Sequence, residues 1–125
     1  MRQGLWVTTL TCLLSLSHPA AAHHSVGAQF DASTTTTLTG AVVRVEWRSP
    51  HVVLAVKETS GSARWDLSTH PPAMLLELGV TKGLLAGKPG ETITATIHPA
   101  LNGRRMGWVT RLTYSDGHSI SLFEP

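Results

Sequence analysis

The sequence predicts a mainly β domain: a small five- to six-stranded, OB-like Greek-key barrel with one short helix between the third and fourth strands. Three observations carry this expectation. Once an N-terminal leader is set aside, about 103 residues remain, which suits a single core. Their apolar residues fall mostly in short runs rich in threonine, valine and isoleucine, several with period-two alternation. Turn signals separate the runs, and one run alone has helical spacing. An open β-sandwich is the alternative arrangement of the same strands.

TTTTLTGAVVRVEW (34–47) is the first and longest strand. From Val43 onward it alternates, with Val43, Val45 and Trp47 on one face and Arg44, Glu46 and Arg48 on the other, and Gly40 marks a bend or bulge. RSPH (48–51) breaks it at Pro50, and HVVLAVKET (51–59) is the return strand. SGS (60–62) reads as a hairpin turn into ARWDLST (63–69), where Trp65 and Leu67 face one way. In HPPAMLLELGV (70–80) the prolines suit a helix start, Met74, Leu75 and Leu78 have helical spacing, and Gly79 is a natural stop. GLLAGKPGE (83–91) contains a Gly-Lys-Pro-Gly turn. TITATIHPA (92–100) alternates Ile93 and Ile97 with threonines, LNGRRMG (101–107) is a loop, WVTRLTYSDG (108–117) is the fifth strand, and HSISLFE (118–124) is a short last strand after an Asp-Gly turn.

The leader has the layout of a secretory signal peptide: basic Met1-Arg2-Gln3, an uncharged apolar stretch over 5–17, and small residues ahead of a cut. The apolar stretch is short of the roughly 20 residues a membrane span needs, so an uncleaved anchor is the weaker reading. Cleavage after Ala22 places Ala22 and Ala20 at the two positions where small side chains are required, which makes His23 the mature N-terminus. The expected organisation is a signal peptide over 1–22, an N-terminal arm over 23–33 and the barrel over 34–125, in a protein delivered to the periplasm or secreted. No transmembrane segment is expected after cleavage.

Removing the leader also removes Cys12, the one cysteine, so neither a disulfide nor a thiolate metal site is expected. Loss of Arg2 takes the basic residues from 10 to 9 against 8 acidic ones. Such a balance gives no reason to expect a nucleic-acid or anionic-membrane partner.

AHHSVGAQFD at the mature start, LTGAVVRVEWRSPHVVLAV, PPAMLLELGV, GKPGETITATIHPALNG and the closing LTYSDG together resemble a family of short exported bacterial proteins classed as a domain of unknown function. The specific part is His23-His24-Ser25 with Trp47-x-x-Pro50-His51, and the resemblance covers essentially the whole mature chain. Ser49 stands where that family tends to have Asn, and Val26 where it often has Phe. The resemblance implies an exported β-rich domain and brings no activity with it.

The histidines are the candidate chemistry. A terminal His23 offers its α-amino group and its imidazole to one metal ion, and a further imidazole from His51 or His24 completes a three-nitrogen set suited to copper. A cut after Ala21 leaves histidine at position three, another Cu(II)- or Ni(II)-binding pattern. Against this stands a frayed terminus that happens to contain histidine. His51 follows the Pro50 corner at the mouth of the first hairpin, where it serves either as a ligand or as a cap on the turn. His70, His98 and His118 are expected in structural or merely exposed roles. Apart from the adjacent pair, no histidine spacing marks a structural zinc site.

Nothing marks an enzyme. There is no nucleophile elbow, no phosphate loop and no paired carboxylates, and a redox enzyme on the same copper site would need an open coordination position and a substrate surface. The expected role is therefore a small exported binding module for a metal ion, copper first. The alternatives are a structural or interaction module that contacts another envelope protein without metal, and an OB-type domain for an oligosaccharide or anion. For that last reading the candidate surface is Trp47, Pro50, Arg104, Arg105 and Trp108, although Trp47, Trp65 and Trp108 are each expected to face the core.

Overall fold

The computed structural model describes residues 26–123 and 125. The expected leader and His23 and His24 lie outside the described residues. After a 3-10 turn at Val26–Ala28, the chain forms β1 (Thr36–Glu46), β2 (Val53–Glu58), β3 (Arg64–Ser68), α1 (Pro72–Glu77), α2 (Lys82–Ala86), β4 (Thr92–Pro99), β5 (Met106–Thr113) and β6 (Ser119–Ser121).

The mainly β, OB-like barrel expected from the sequence is the fold observed. β1 serves two neighbours: its first half, Thr36 to Ala41, pairs antiparallel with β4, and its second half, from Gly40, pairs antiparallel with β2. β2 continues to β3, β4 to β5, and a parallel pairing of Asp66–Ser68 with Met106–Trp108 closes five strands into a barrel. β6 is added outside this ring on β5. Closure leaves β3 and β5 without the open edges of a sandwich.

The inward residues alternate as a half-buried sheet requires. Leu54 and Val56 of β2, Ile93, Ala95 and Ile97 of β4, and Val109 and Leu112 of β5 are all buried, and each helix adds one buried leucine, Leu75 and Leu85. Gly40 sits where one strand is shared between two partners. A Cβ at this position would overlap the Lys57 carbonyl oxygen and crowd Val56, so the close approach of β1 and β2 requires glycine.

Four local expectations are corrected. The irregularity in β1 lies between Val42 and Arg44, not at Gly40. It resets the alternation, so that Val43 is 54% exposed while Val42 packs against the core and Val45 is buried. Trp47 lies beyond the end of β1, half-buried against the core, and Trp65 is likewise half-buried. The segment read as a turn before β4 holds a second helix, α2, whose Thr81 hydroxyl accepts a 3.2 Å bond from the Leu84 amide and which stops at Gly87, φ +65°. β5 begins at Met106 instead of Trp108, because Met106 and Gly107 are recruited by β3 in the closing seam.

Candidate functional site

One end of the barrel gathers the start of β2, the end of β3, the end of β4 and the start of β5, and Trp108 is buried there at 1% exposure. Its indole N–H donates to the Phe123 carbonyl at 3.1 Å. Three rings surround it: His51 at 5.6 Å and His70 at 5.1 Å, both edge-on, and Phe30 at 6.2 Å.

The end of the β2–β3 ladder puts the two histidines side by side. Thr69 N–H donates to the Val52 carbonyl and Val52 N–H to the His70 carbonyl, so His51 and His70 flank a bonded pair although 18 residues intervene. His51 Nδ1 lies 3.1 Å from the Thr69 carbonyl oxygen. A carbonyl can only accept, so Nδ1 carries the proton and Nε2 of the neutral ring keeps a lone pair. This is the bond expected of a turn-capping histidine, and it is also how a ligating histidine is held.

His70 is 7% exposed, and no hydrogen-bond partner meets its buried Nε2. Burial is the main cause holding its pKa below the ordinary histidine value; nearby His51 acts in the same direction, and the Phe123 carbonyl opposes both. Burial thus disfavours the charged ring, and its Nε2 has no hydrogen-bond partner. His98, the cross-strand partner of Trp108, is 5% exposed and places Nδ1 2.7 Å from the Thr34 carbonyl oxygen. His118 belongs elsewhere, stacked on Tyr114 at 4.4 Å and bonded to Asp116 in the β5–β6 turn.

The N-terminal arm is fastened to the same end. Asp31 N–H donates to the Pro99 carbonyl at 2.9 Å, Leu101 N–H donates to the Gln29 carbonyl at 3.0 Å, and Phe30, 3% exposed, bridges to Ala100. The Asp31 carboxylate then folds the chain toward β1 by accepting from the Ser33 hydroxyl, the Thr34 hydroxyl and the Ser33 amide, which holds its pKa below the usual carboxylate value. Phe30 and Asp31 thus seat the arm through a single β-bridge and its flanking hydrogen bonds.

Of the residues expected at a ligand surface, Pro50 is exposed at the corner after β1, where the Ser49–Pro50 bond is cis, and Trp47 is half-buried beside it. Arg104 and Arg105 are exposed in the β4–β5 loop. Trp108 is not with them: its burial leaves no face for stacking, so the expected basic and aromatic edge does not form. Among the described residues no group of three or more His, Cys, Asp or Glu side chains is arranged to hold a metal ion. Sequence reasoning misses His70, which precedes two prolines at a helix start. Its one signal was its place directly after an apolar strand.

Fold and site define a small closed β-barrel whose one end is a buried tryptophan edged by two histidines and covered by an N-terminal arm. The chain belongs to a family of unknown function, DUF6152, whose pattern matches residues 10–119 and so takes in His23 and His24 with the barrel. No curated protein and no solved structure matches the chain. Among the described residues no helix is long and apolar enough to cross a membrane.

Proposed function

We propose that the protein is an exported, periplasmic binding module that holds a copper ion through a mature N-terminus at His23, with an imidazole of the barrel, His51 first, as partner. In this reading His23 supplies its amine and imidazole, His24 is the alternative second imidazole, and the barrel keeps the ligands in place. The observation that carries it is the Trp108 hub: Phe30 of the arm and His51 of the barrel pack on one indole. The seven steps from Phe30 back to His23 span up to roughly 20 Å with three of them wound into a 3-10 turn, ample reach to the same end of the barrel. His51 contributes an available Nε2, because its other nitrogen is occupied by Thr69. Neighbouring His70, whose buried Nε2 has no hydrogen-bond partner, is a further imidazole packed on the same indole.

The test is calorimetry with Cu(II) on protein beginning at His23, on the same protein with one added N-terminal residue, and on His51→Ala. Each change is expected to weaken binding by about tenfold or more, the scale on which disturbing a metal site is felt. His70→Gln is expected to weaken it less. Affinity indifferent to both the added residue and His51→Ala sinks the proposal. It would favour the envelope-interaction module instead, for which the exposed Leu76, Leu78 and Leu84 of the helical segment supply an apolar surface.

A further inference from the structure

We propose that the barrel carries a second binding site, for a small amphiphilic anion, in the groove between the N-terminal arm, the β4–β5 loop and the β3–β5 seam. Two hollows meet there. One, of about 320 Å³, has Ala28 and Phe30 on the arm side and Leu101 on the loop side. The other, of about 480 Å³, is lined by Arg64, Arg104 and Arg105, with Asp66 as its carboxylate. Arg104 and Met106 line both, so the apolar hollow runs directly into the cationic one.

Charge selects the head group. Three arginines and one carboxylate line the hollow, and Asp66 stands 3.8 Å from Arg64 Nε, beyond a strong hydrogen bond. Arg104 and Arg105 have no carboxylate partner among the described residues, whereas Arg44 and Arg48 of the β1 end both engage Glu46. Planar donor forks without an acid partner suit a phosphate, sulfate or carboxylate, which each can bind through two parallel hydrogen bonds.

The backbone that presents these arginines is already fixed. The Asn102 side-chain oxygen accepts from the Arg104 amide at 3.0 Å, and Gly103, at φ +74°, turns the chain and donates to the Ala100 carbonyl. Asp66 N–H bonds the Arg105 carbonyl at 3.0 Å, tying the loop to β3, while Leu101 N–H ties it to the arm through Gln29. Little loop freedom remains to be lost when an anion binds.

The apolar hollow selects the rest of the ligand. Leu101 at its rim is 61% exposed, a surface that a bare inorganic anion leaves uncovered and a short alkyl or aromatic body covers. The site uses none of the histidines, so it stands or falls independently of copper.

The probe is octyl phosphate, titrated below its micelle concentration into the full protein as isolated, followed by amide NMR shifts and calorimetry. Shifts are expected at Gln29, Leu101, Arg104, Arg105 and Met106. The Arg104→Gln/Arg105→Gln pair is expected to weaken binding about tenfold or more, as loss of a charge-assisted hydrogen bond implies. Leu101→Asp is expected to weaken it comparably, and because all three side chains are exposed the variants should melt as the parent does. Inorganic phosphate should bind at least about tenfold more weakly than octyl phosphate. The proposal is overturned by equal affinity for inorganic and octyl phosphate, by octyltrimethylammonium binding as tightly as octyl phosphate, by shifts confined to another face, or by no binding at millimolar concentration.

Discussion

Phe30→Ala separates the arm from the barrel. Phe30 is 3% exposed and touches the core through Trp108, and two backbone hydrogen bonds flank it. Truncating a phenylalanine so buried costs about 3–5 kcal/mol where the rest of the structure must stay in place. Here the arm can let go, so the loss in global stability is capped by the free energy that docks the arm, and we expect about 2–3 kcal/mol. Local opening then becomes easier by roughly a hundredfold. Native-state hydrogen exchange is the assay: the Asp31 and Leu101 amides, bonded to Pro99 and Gln29, should lose protection by that factor. Amides in the paired centre of β1 should change only with global stability. Unchanged exchange at Asp31 and Leu101 refutes the docked arm. Protection at Asp31 and Leu101 as high as in the centre of β1 in the parent protein refutes the arm's independence from the barrel.

Tyr114 is the one tyrosine of the chain, and burial pushes its phenol up to about 12, so ultraviolet titration should show no tyrosinate until well above pH 10. Its folded pKa is raised, so the linked stability is complete below pH 10 and is lost as pH rises toward 12; Tyr114→Phe removes that dependence and costs about 1 kcal/mol through the hydrogen bond to the Leu85 carbonyl, measured by denaturant unfolding. Glu91 bonds the Ser115 hydroxyl, the Lys88 amide and the Ser115 amide, all of which hold its pKa below the usual carboxylate value. Its contribution is therefore present above that ordinary value and disappears as pH falls through the lowered one, so Glu91→Gln should flatten the acid limb of a melting-temperature profile. Gly40→Ala forces a methyl group onto the Lys57 carbonyl and should destabilise by about 3 kcal/mol in denaturant unfolding, the upper range for overpacking. A loss under about 1 kcal/mol would mean that β1 and β2 can separate there.

The strands were legible because period-two alternation is enforced by burial on one side, and Ile93, Ile97, Leu67 and Leu112 all report it. Val43 misled because a single inserted residue reverses every side chain after it, and no residue type announces where the insertion falls. Gly40 announced something different, a close backbone approach, which leaves the same mark in a sequence as a bulge. α2 was missed because five residues are too few to show a helical period, and its glycines at 83 and 87 read as turn chemistry.

The site was legible one residue at a time but not as a set. His51 was legible through its proline corner, yet Phe30 meets it on Trp108, near the start of a β5 that begins two residues earlier than expected. That early start follows from the parallel pairing with β3, which no local pattern encodes. Trp108 faces the core as its strand position predicts, while the β3–β5 pairing leaves Arg104 and Arg105 beside Arg64. The fold thus separates what the sequence set together, the arginines and the indole, and assembles two distinct surfaces from them. On one, a tryptophan orders histidines and an arm. On the other, three arginines border an apolar hollow walled by that same arm. Phe30 is common to both, so Phe30→Ala should weaken octyl phosphate binding as well as free the arm. A variant that frees the arm and leaves that affinity intact would show that the apolar wall comes from Leu101 and Met106 alone.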